Sequence, residues 1–496
     1  VRATFDPLAR MARHTKWGAQ MTAIRIVGLN GEPRDIPVAA VTALGDGLEG
    51  PLLYPDDEGF AEATRLWNGL IKKQPALIVS ARTTRDVVRT VGFVRDNGLQ
   101  LSIRGGGHNI AGLALCDGGV TLDMSKMKSI EVDLDARLAR VAPGCILGDI
   151  DRATQVHGLA TTLGFVSETG AAGLTLGGGF GYLSRRFGWT VDDLEEVEIV
   201  TADGAVLRAS RSENEDLFWA LRGGGGNFGV VTEFTYRLHE VGPQVTAGLI
   251  AWPAAEAGSV LDLYRTVPES APRELTLALL MRNAPPAPWV PETAHGTPII
   301  AMVVCHSGSL EQAEKDLASI RAHGEPVADI IQVKEYVAQQ SMLDATQPNG
   351  MHYYWKSEFL PGLGGGVLDT YRAQFIGNES PANQIVLFHL AGAINDHAEN
   401  DGAIGNREAA YACVISAMWP EGDPAGDDYR TWVRNAWGAL KPYSTGGNYI
   451  NFQTEDEDDR RTEESYRGNH SRLETVKAKY DPSNLFRVNR NIRPHD

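Results

Sequence analysis

Cysteine is scarce: Cys116, Cys145, Cys305 and Cys413 are the only four in a chain of 496 residues. They lie far apart, with no C-x-x-C pair and no local Cys/His cluster. That spacing excludes a disulfide framework and a zinc module, and it suits a reducing compartment, so a cytoplasmic location is expected. Long apolar runs are missing as well. The longest, 299–305, falls far short of the roughly 20 residues that a membrane-spanning helix needs. Positive charge is in deficit, with 46 Lys+Arg against 63 Asp+Glu and a net charge of −17. Such a surface repels phosphate backbones and anionic lipid, so neither nucleic acid nor a membrane is an expected partner. The sequence also lacks G-x-x-x-x-G-K-[ST], H-E-x-x-H and G-x-S-x-G, which removes support for P-loop, zincin and α/β-hydrolase chemistry.

What is present is ordinary for a globular chain, 43% apolar and 22% charged, long enough for two to four domains. The first twenty residues are basic without a continuous apolar stretch, and Met21 opens an ordinary-looking segment. Residues 1–20 therefore read as an extension that carries no chemistry, not as a secretory signal.

Glycine is the informative residue, 54 in all, with clusters at 105–107, 177–181 and 223–226. From 76 to 240 short strands alternate with helices. Strands are expected at 76–80, 101–104, 120–123, 138–141 and 229–234, helices at 84–97, 147–158 and 212–221, and a hairpin at 196–207. From 243 to 445 longer strands (275–281, 299–305, 352–359, 385–391, 409–418) interleave with amphipathic helices such as 310–323. That pattern predicts an α+β layer, a sheet with helices on one face. The tail, 446–496, returns to the first texture, with a helix over 459–479. A chain that leaves a domain and comes back to it crosses the interface twice, and ligand sites favour such interfaces.

Three motifs carry the chemistry. In Arg104-Gly-Gly-Gly-His108-Asn109-Ile-Ala-Gly112 a strand runs into three glycines, whose N–H groups are free to form a nest for an anion. The bland alternative is a hairpin turn with a surface histidine. Residues 164–181, GFVSETGAAGLTLGGGFG, hold one charge and interleaved apolar residues, which fits a segment packed on a flat ligand or a glycine-rich buried crossover. The third, around Gly224-x-Gly226-x-x-Gly229, has a helix before it and a strand after it. A dinucleotide fingerprint needs the reverse, so a Rossmann fold is rejected.

These motifs in this order, with Tyr449-Ile-Asn451-Phe452 and the tail segment KYDPSNLF, resemble FAD-linked oxidases of the vanillyl-alcohol-oxidase/PCMH superfamily, in particular the berberine-bridge-enzyme-like group. The resemblance covers about 60–240 and 445–494 well and the middle loosely. It implies a two-domain α+β PCMH-type FAD-binding fold: an FAD domain from 21–240 completed by 446–496, and an antiparallel-sheet substrate domain, 241–445, covered by helices. His108 occupies the position that bonds to the flavin 8α-methyl. Arg104, Gly105, Gly106, Gly107, Asn109 and Gly112 would hold the pyrophosphate. Gly144, Gly164, Gly170, Gly173, Gly177, Gly178, Gly179, Gly181, Gly229 and Val230 would contact FAD. Relatives with a second, cysteinyl bond have Cys where Val166 stands and His where Leu174 stands, so FAD attached once, through His108, is expected. Thr169 falls at a position that influences oxygen access and leans toward an oxidase.

Tyr449 matches the tyrosine that alcohol-oxidising relatives use as proton acceptor, and Asn451 the asparagine beside the flavin. A phenol with pKa about 10 must be lowered to act as a base near neutrality, and the alternative is that Tyr449 only packs on the ring. His352-Tyr-Tyr-Trp-Lys356 reads as a substrate wall. His352, Tyr354 and Lys356 share one strand face and Tyr353 and Trp355 the other, with Tyr354 and Lys356 as candidate catalytic groups or plain sheet core. His389 reads as a buried core histidine, and the charge run 455–461 as a solvated helix start.

The expected function is oxidation of an alcohol or amine carbon of a small molecule, with dioxygen reoxidising FAD to give hydrogen peroxide, by a monomer or homodimer. The alternatives are a dehydrogenase that uses another acceptor, and a flavoprotein that only sequesters a drug. No metal is expected.

Overall fold

The computed structural model describes residues 22–376, 378 and 380–495. The segment 1–20 lies outside the described residues. Two sheets organise the first region. Leu77–Ser80, Val120–Asp123 and Leu101–Arg104 pair in parallel, and their apolar residues are buried except Ile103, which is half-buried. The helix Thr84–Asn97 covers them with Val87, Val91 and Val94. Its ends are chemically marked: the Thr83 hydroxyl accepts from the Asp86 N–H, and Gly98 turns left-handed at φ 59°. The second sheet is antiparallel, in the order Val206–Ser210, Leu194–Val200, Val230–Arg237, Leu138–Val141, Ile130–Asp133. The rejected Rossmann reading agrees with what surrounds Gly224 to Gly229: helix Glu215–Leu221 before, strand Val230–Arg237 after.

The middle region forms an eight-stranded sheet in which every pairing is antiparallel. Its central strands are Gln244–Pro253, Pro298–His306, Leu275–Asn283, Asn383–His389, Tyr411–Trp419 and His352–Leu360. Side chains alternate between two buried faces. Leu275, Leu277, Leu279 and Met281 join a core with helices Ala257–Ser270, Val367–Phe375 and Gly426–Leu440, while Ala278 and Leu280 join a second core on the opposite face. The fold is therefore the expected α+β arrangement, with helices on one side of the sheet and the glycine-rich region on the other.

The tail is tied to both. KYDPSNLF owes its pattern to Asp481, fully buried, whose carboxylate accepts from the N–H groups of Leu485 at 2.7 Å and Phe486 at 2.8 Å and pairs with Lys477 Nζ at 2.7 Å. Lys477 also donates to the Asn227 carbonyl at 2.7 Å, which pins the tail to the third glycine motif. The helix expected over 459–479 is broken in two, Asp459–Tyr466 and His470–Tyr480, because the chain turns at Arg467 with φ 51°.

Two expectations about charge are revised here. The run 455–461 is the solvated helix start it was expected to be at Glu455, Asp456, Asp458, Asp459 and Arg460, which are exposed, but the side chains of Glu457 and Arg461 are each only 6% exposed. Lys356 and Tyr354 are not catalytic candidates, because they point to the helix-covered side of the sheet and meet that run. Lys356 Nζ lies 2.7 Å from Asp456, 3.0 Å from Glu457 and 3.2 Å from the Thr454 hydroxyl. The Tyr354 hydroxyl donates to Asp456 at 2.7 Å and accepts from Arg434 at 2.9 Å. Glu358, two residues further along the same face, takes Arg461 at 2.5 Å. Burial opposes ionisation of Asp456, but the donors Lys356, Tyr354 and Thr454 outweigh it and hold its carboxyl well below the usual range.

All four cysteines are buried and free. Among the described residues no helix is long and apolar enough to cross a membrane. His389 is a buried core residue, as expected, although its Nδ1 has no partner. Lys356→Met is expected to destabilise the fold by about 3–5 kcal/mol, because Asp456 and Glu457 lose their cation. The midpoint of thermal unfolding should fall while the rate of the chemical step, measured below that transition, holds. A catalytic lysine would give the opposite pattern.

Candidate active site

One cavity of about 370 Å³ lies between the glycine-rich region, the tail and the uncovered face of the large sheet. Gly105, Gly106, Gly107, His108 and Asn109 line it, as do Gly164, Thr169, Gly170, Gly173, Gly229, Val230, Tyr449 and Asn451. Sequence reasoning brought all of these to one site.

The first motif builds a nest. Among the described residues, the backbone N–H groups of Gly105, Gly106, Gly107 and His108 donate to no protein acceptor. Gly107 turns left-handed at φ 70°, and Gly106 lies so close to Gly170 that an added Cβ would fall 2.5 Å from its Cα. Two glycine segments thus touch backbone to backbone and leave unspent donors facing the cavity, the arrangement that suits a diphosphate.

His108 closes the nest. Trp67 stacks on its ring at 4.5 Å and 17°, and Tyr353 stacks on Trp67 at 3.7 Å. Burial pushes the imidazole down to about 4, so it is neutral at physiological pH. Its Nε2 is buried without a hydrogen-bond partner. The hydroxyl of Tyr466 and the Nε of Arg490, both from the tail and both on the cavity lining, are likewise unpartnered. Orphaned buried polar atoms converging on one space are what a bound ligand satisfies.

Tyr449 is held from two sides. Its oxygen accepts from the Gly179 N–H at 2.9 Å and from Asn451 Nδ2 at 2.8 Å, and its own proton has no acceptor among the described residues. Trp189, Phe180 and Phe452 enclose the ring. Burial raises the phenol, and the donors from Asn451 and Gly179 oppose that rise.

Several predicted contacts fall outside the cavity for a common reason: the glycine makes room for protein. Gly177 admits the Asn451 amide, Gly178 admits Ile404, and Gly179 admits Thr190. Gly144 and Gly181 pack on the carbonyls of Met124 and Leu163. Gly112 faces Ile71, and its carbonyl accepts from Lys73 at 2.9 Å. Arg104 turns to Asp123 at 3.1 Å, so it supports the nest and does not enter it.

Trp355, from the strand expected to form a substrate wall, does line the cavity, and so does Phe165 of the second glycine motif. The sequence reading missed Trp67, Gln384, Phe388 and Ser416, which are also on the lining and carried no local signal.

Comparison with known proteins agrees with this geometry. Residues 75–210 match the family model described as FAD binding domain, and 448–493 the one described as berberine and berberine like. The chain is 32% identical over 464 residues to (R)-6-hydroxynicotine oxidase of Paenarthrobacter nicotinovorans, covering 90% of this chain and 97% of that one. It is 31% identical over 455 residues to an FAD-linked oxidoreductase of Dictyostelium discoideum, covering 90% and 96%. The crystal structure of 6-hydroxy-D-nicotine oxidase from Arthrobacter nicotinovorans superposes with TM-score 0.79 at 30% identity, over 90% of this chain and 98% of that one. The nest, the neutral histidine and the returning tail therefore belong to an FAD-linked oxidoreductase of the berberine-bridge-enzyme-like family.

Proposed function

We propose that the protein is an oxidase that removes hydride from an alcohol or amine carbon, carries FAD through a single bond to His108, and passes the electrons to dioxygen to form hydrogen peroxide. Residues 21–240 with 446–496 would carry the cofactor and 241–445 the substrate. The observation that carries the reading is the pair of groups facing one cavity: a neutral, unpartnered His108 nitrogen beside an N–H nest, and a Tyr449 oxygen fixed by two donors.

FAD, when bound, supplies the two-electron acceptor for hydride. The nest from Gly105 to His108 would hold its diphosphate, with Gly170 and Gly173 bordering the same space. His108 would act as nucleophile toward the 8-methyl carbon. That bond would hold the cofactor in place, with the neutral imidazole nitrogen as the group available to make it. Trp67 fixes the imidazole plane by stacking on it. Val166, which lines the cavity where a cysteine would make a second link, offers no thiol. Thr169, also on the lining, would be the small side chain that permits dioxygen to approach. Tyr449 would take the substrate O–H or N–H proton as hydride leaves carbon. Two N–H groups directed at its oxygen stabilise the phenolate that does this work.

Precipitation in trichloroacetic acid should leave a yellow pellet whose flavin mass maps to a peptide containing His108. His108→Ala should give a colourless pellet while native protein still takes up FAD through the nest. For the base, Tyr449→Phe should slow anaerobic flavin reduction by about 100-fold or more. Because burial raises this phenol, the ionised fraction below its pKa grows tenfold per pH unit, so the wild-type reduction rate should rise with pH through the alkaline range, and the Phe variant should lose that slope. A pH-independent wild-type rate would remove Tyr449 from the role.

A further inference from the structure

The sheet side of the cavity is ordered in rows, because antiparallel register aligns residues across strands. Trp355, Ser416 and Gln384 are consecutive cross-strand partners. One step along the same face lie Val414, Val386 and Leu280. The third row holds Phe388, Ala278 and Val303. Rows on one face are about 6.8 Å apart, so the wall is two apolar rows bordered by one polar edge. On that edge, neither the Ser416 hydroxyl nor the Gln384 amide nitrogen is bonded to protein among the described residues. Gln384 Oε1 has only a distant contact with Arg282, at 3.5 Å. Trp355 donates to the Phe452 carbonyl at 2.8 Å and so presents only its ring. Opposite the wall, Phe165 stacks on Phe388 at 4.7 Å, and Phe452 stands edge-on to Tyr449 at 4.8 Å.

The electrostatics are equally one-sided. Among the described residues no Asp, Glu or Lys lines the cavity. Its one permanent charge, Arg490, spends its terminal nitrogens on the carbonyls of Gln453, Thr454 and Glu457. An ionised substrate group would leave water without a counterion, and a polyol would bury hydroxyls without partners, each at a cost of the kind that rejects ligands. An apolar ring system gains from the same wall.

Resting on the oxidase reading above, we propose that the substrate is an uncharged aryl or alicyclic carbinol whose apolar ring body lies on the Val414–Val386–Leu280 row. A single further acceptor, an ether or carbonyl oxygen at one edge, takes hydrogen bonds from Gln384 and Ser416. Carboxylates, ammonium ions and oligosaccharides are excluded by the same surface.

The test uses the holoenzyme without oxygen and follows two signals separately: the shift of the visible flavin band on binding, and its bleaching on reduction. The probes are 4-chromanol (a neutral bicyclic carbinol with a ring ether), 1-indanol (its analogue without that oxygen), cellobiose, and 4-(hydroxymethyl)benzoate. We expect 4-chromanol to bind best, with 1-indanol about tenfold weaker, the worth of one or two hydrogen bonds. Cellobiose and the carboxylate should be weaker by about a hundredfold or more. Gln384→Leu should weaken 4-chromanol severalfold more than 1-indanol and so narrow the gap between them. Cellobiose or the carboxylate binding as well as 4-chromanol, or neither neutral alcohol shifting the band, overturns the inference. The two readings fail differently. Bleaching by cellobiose sinks the substrate class and keeps hydride transfer to the flavin; a band shift by 4-chromanol that never bleaches keeps the ligand class and sinks its oxidation.

Discussion

The position of Tyr449 depends on a tail held by buried charge. Residues after Gly446 reach back across the molecule, and nothing in their own sequence would keep them there. Lys356 with Asp456 and Glu457 fastens them to the large sheet, and Lys477 with Asp481 fastens them to the third glycine motif. Just before the first of those anchors the chain passes the cavity, and Tyr449 and Asn451 are what it offers there. Buried pairs of this kind add little net stability over apolar replacements, but losing one partner strands the other. Their contribution is to fix one arrangement of three distant segments.

Among the described residues no carboxylate lines the cavity. Its nest N–H groups are free of protein acceptors, and its histidine is neutral through burial. In such surroundings two N–H donors on a phenol oxygen matter more than they would in water. The burial that raises the Tyr449 phenol also makes it responsive to the donors around it.

Much of this was legible from sequence. The helix Thr84–Asn97 showed its valine spacing, the strands around the glycine motifs were bounded by the glycines, and the motifs converged on one cavity. What sequence could not tell was which partner a glycine accommodates. Gly106 and Gly178 look alike in a string of letters; one borders the cavity and the other admits Ile404. Strand polarity was hidden for a related reason. In 352–360 both faces are buried, so alternation separates Tyr354 and Lys356 from Tyr353 and Trp355 without saying which set meets the ligand. In the charge run 455–461 the burial of Glu457 and Arg461 was hidden because their partners, Lys356 and Glu358, come from about a hundred positions earlier in the chain.

That alternation has a consequence for how such a protein can change. On one strand Tyr354, Lys356 and Glu358 hold the tail in place while the intervening Trp355 borders the cavity, and on neighbouring strands the far face packs against helices. Mutational drift can therefore rewrite what the enzyme accepts, one exchange at a time, while the adhesive layer stays intact a pleat away. A lineage built on this plan can diversify its chemistry of recognition without first re-inventing its architecture.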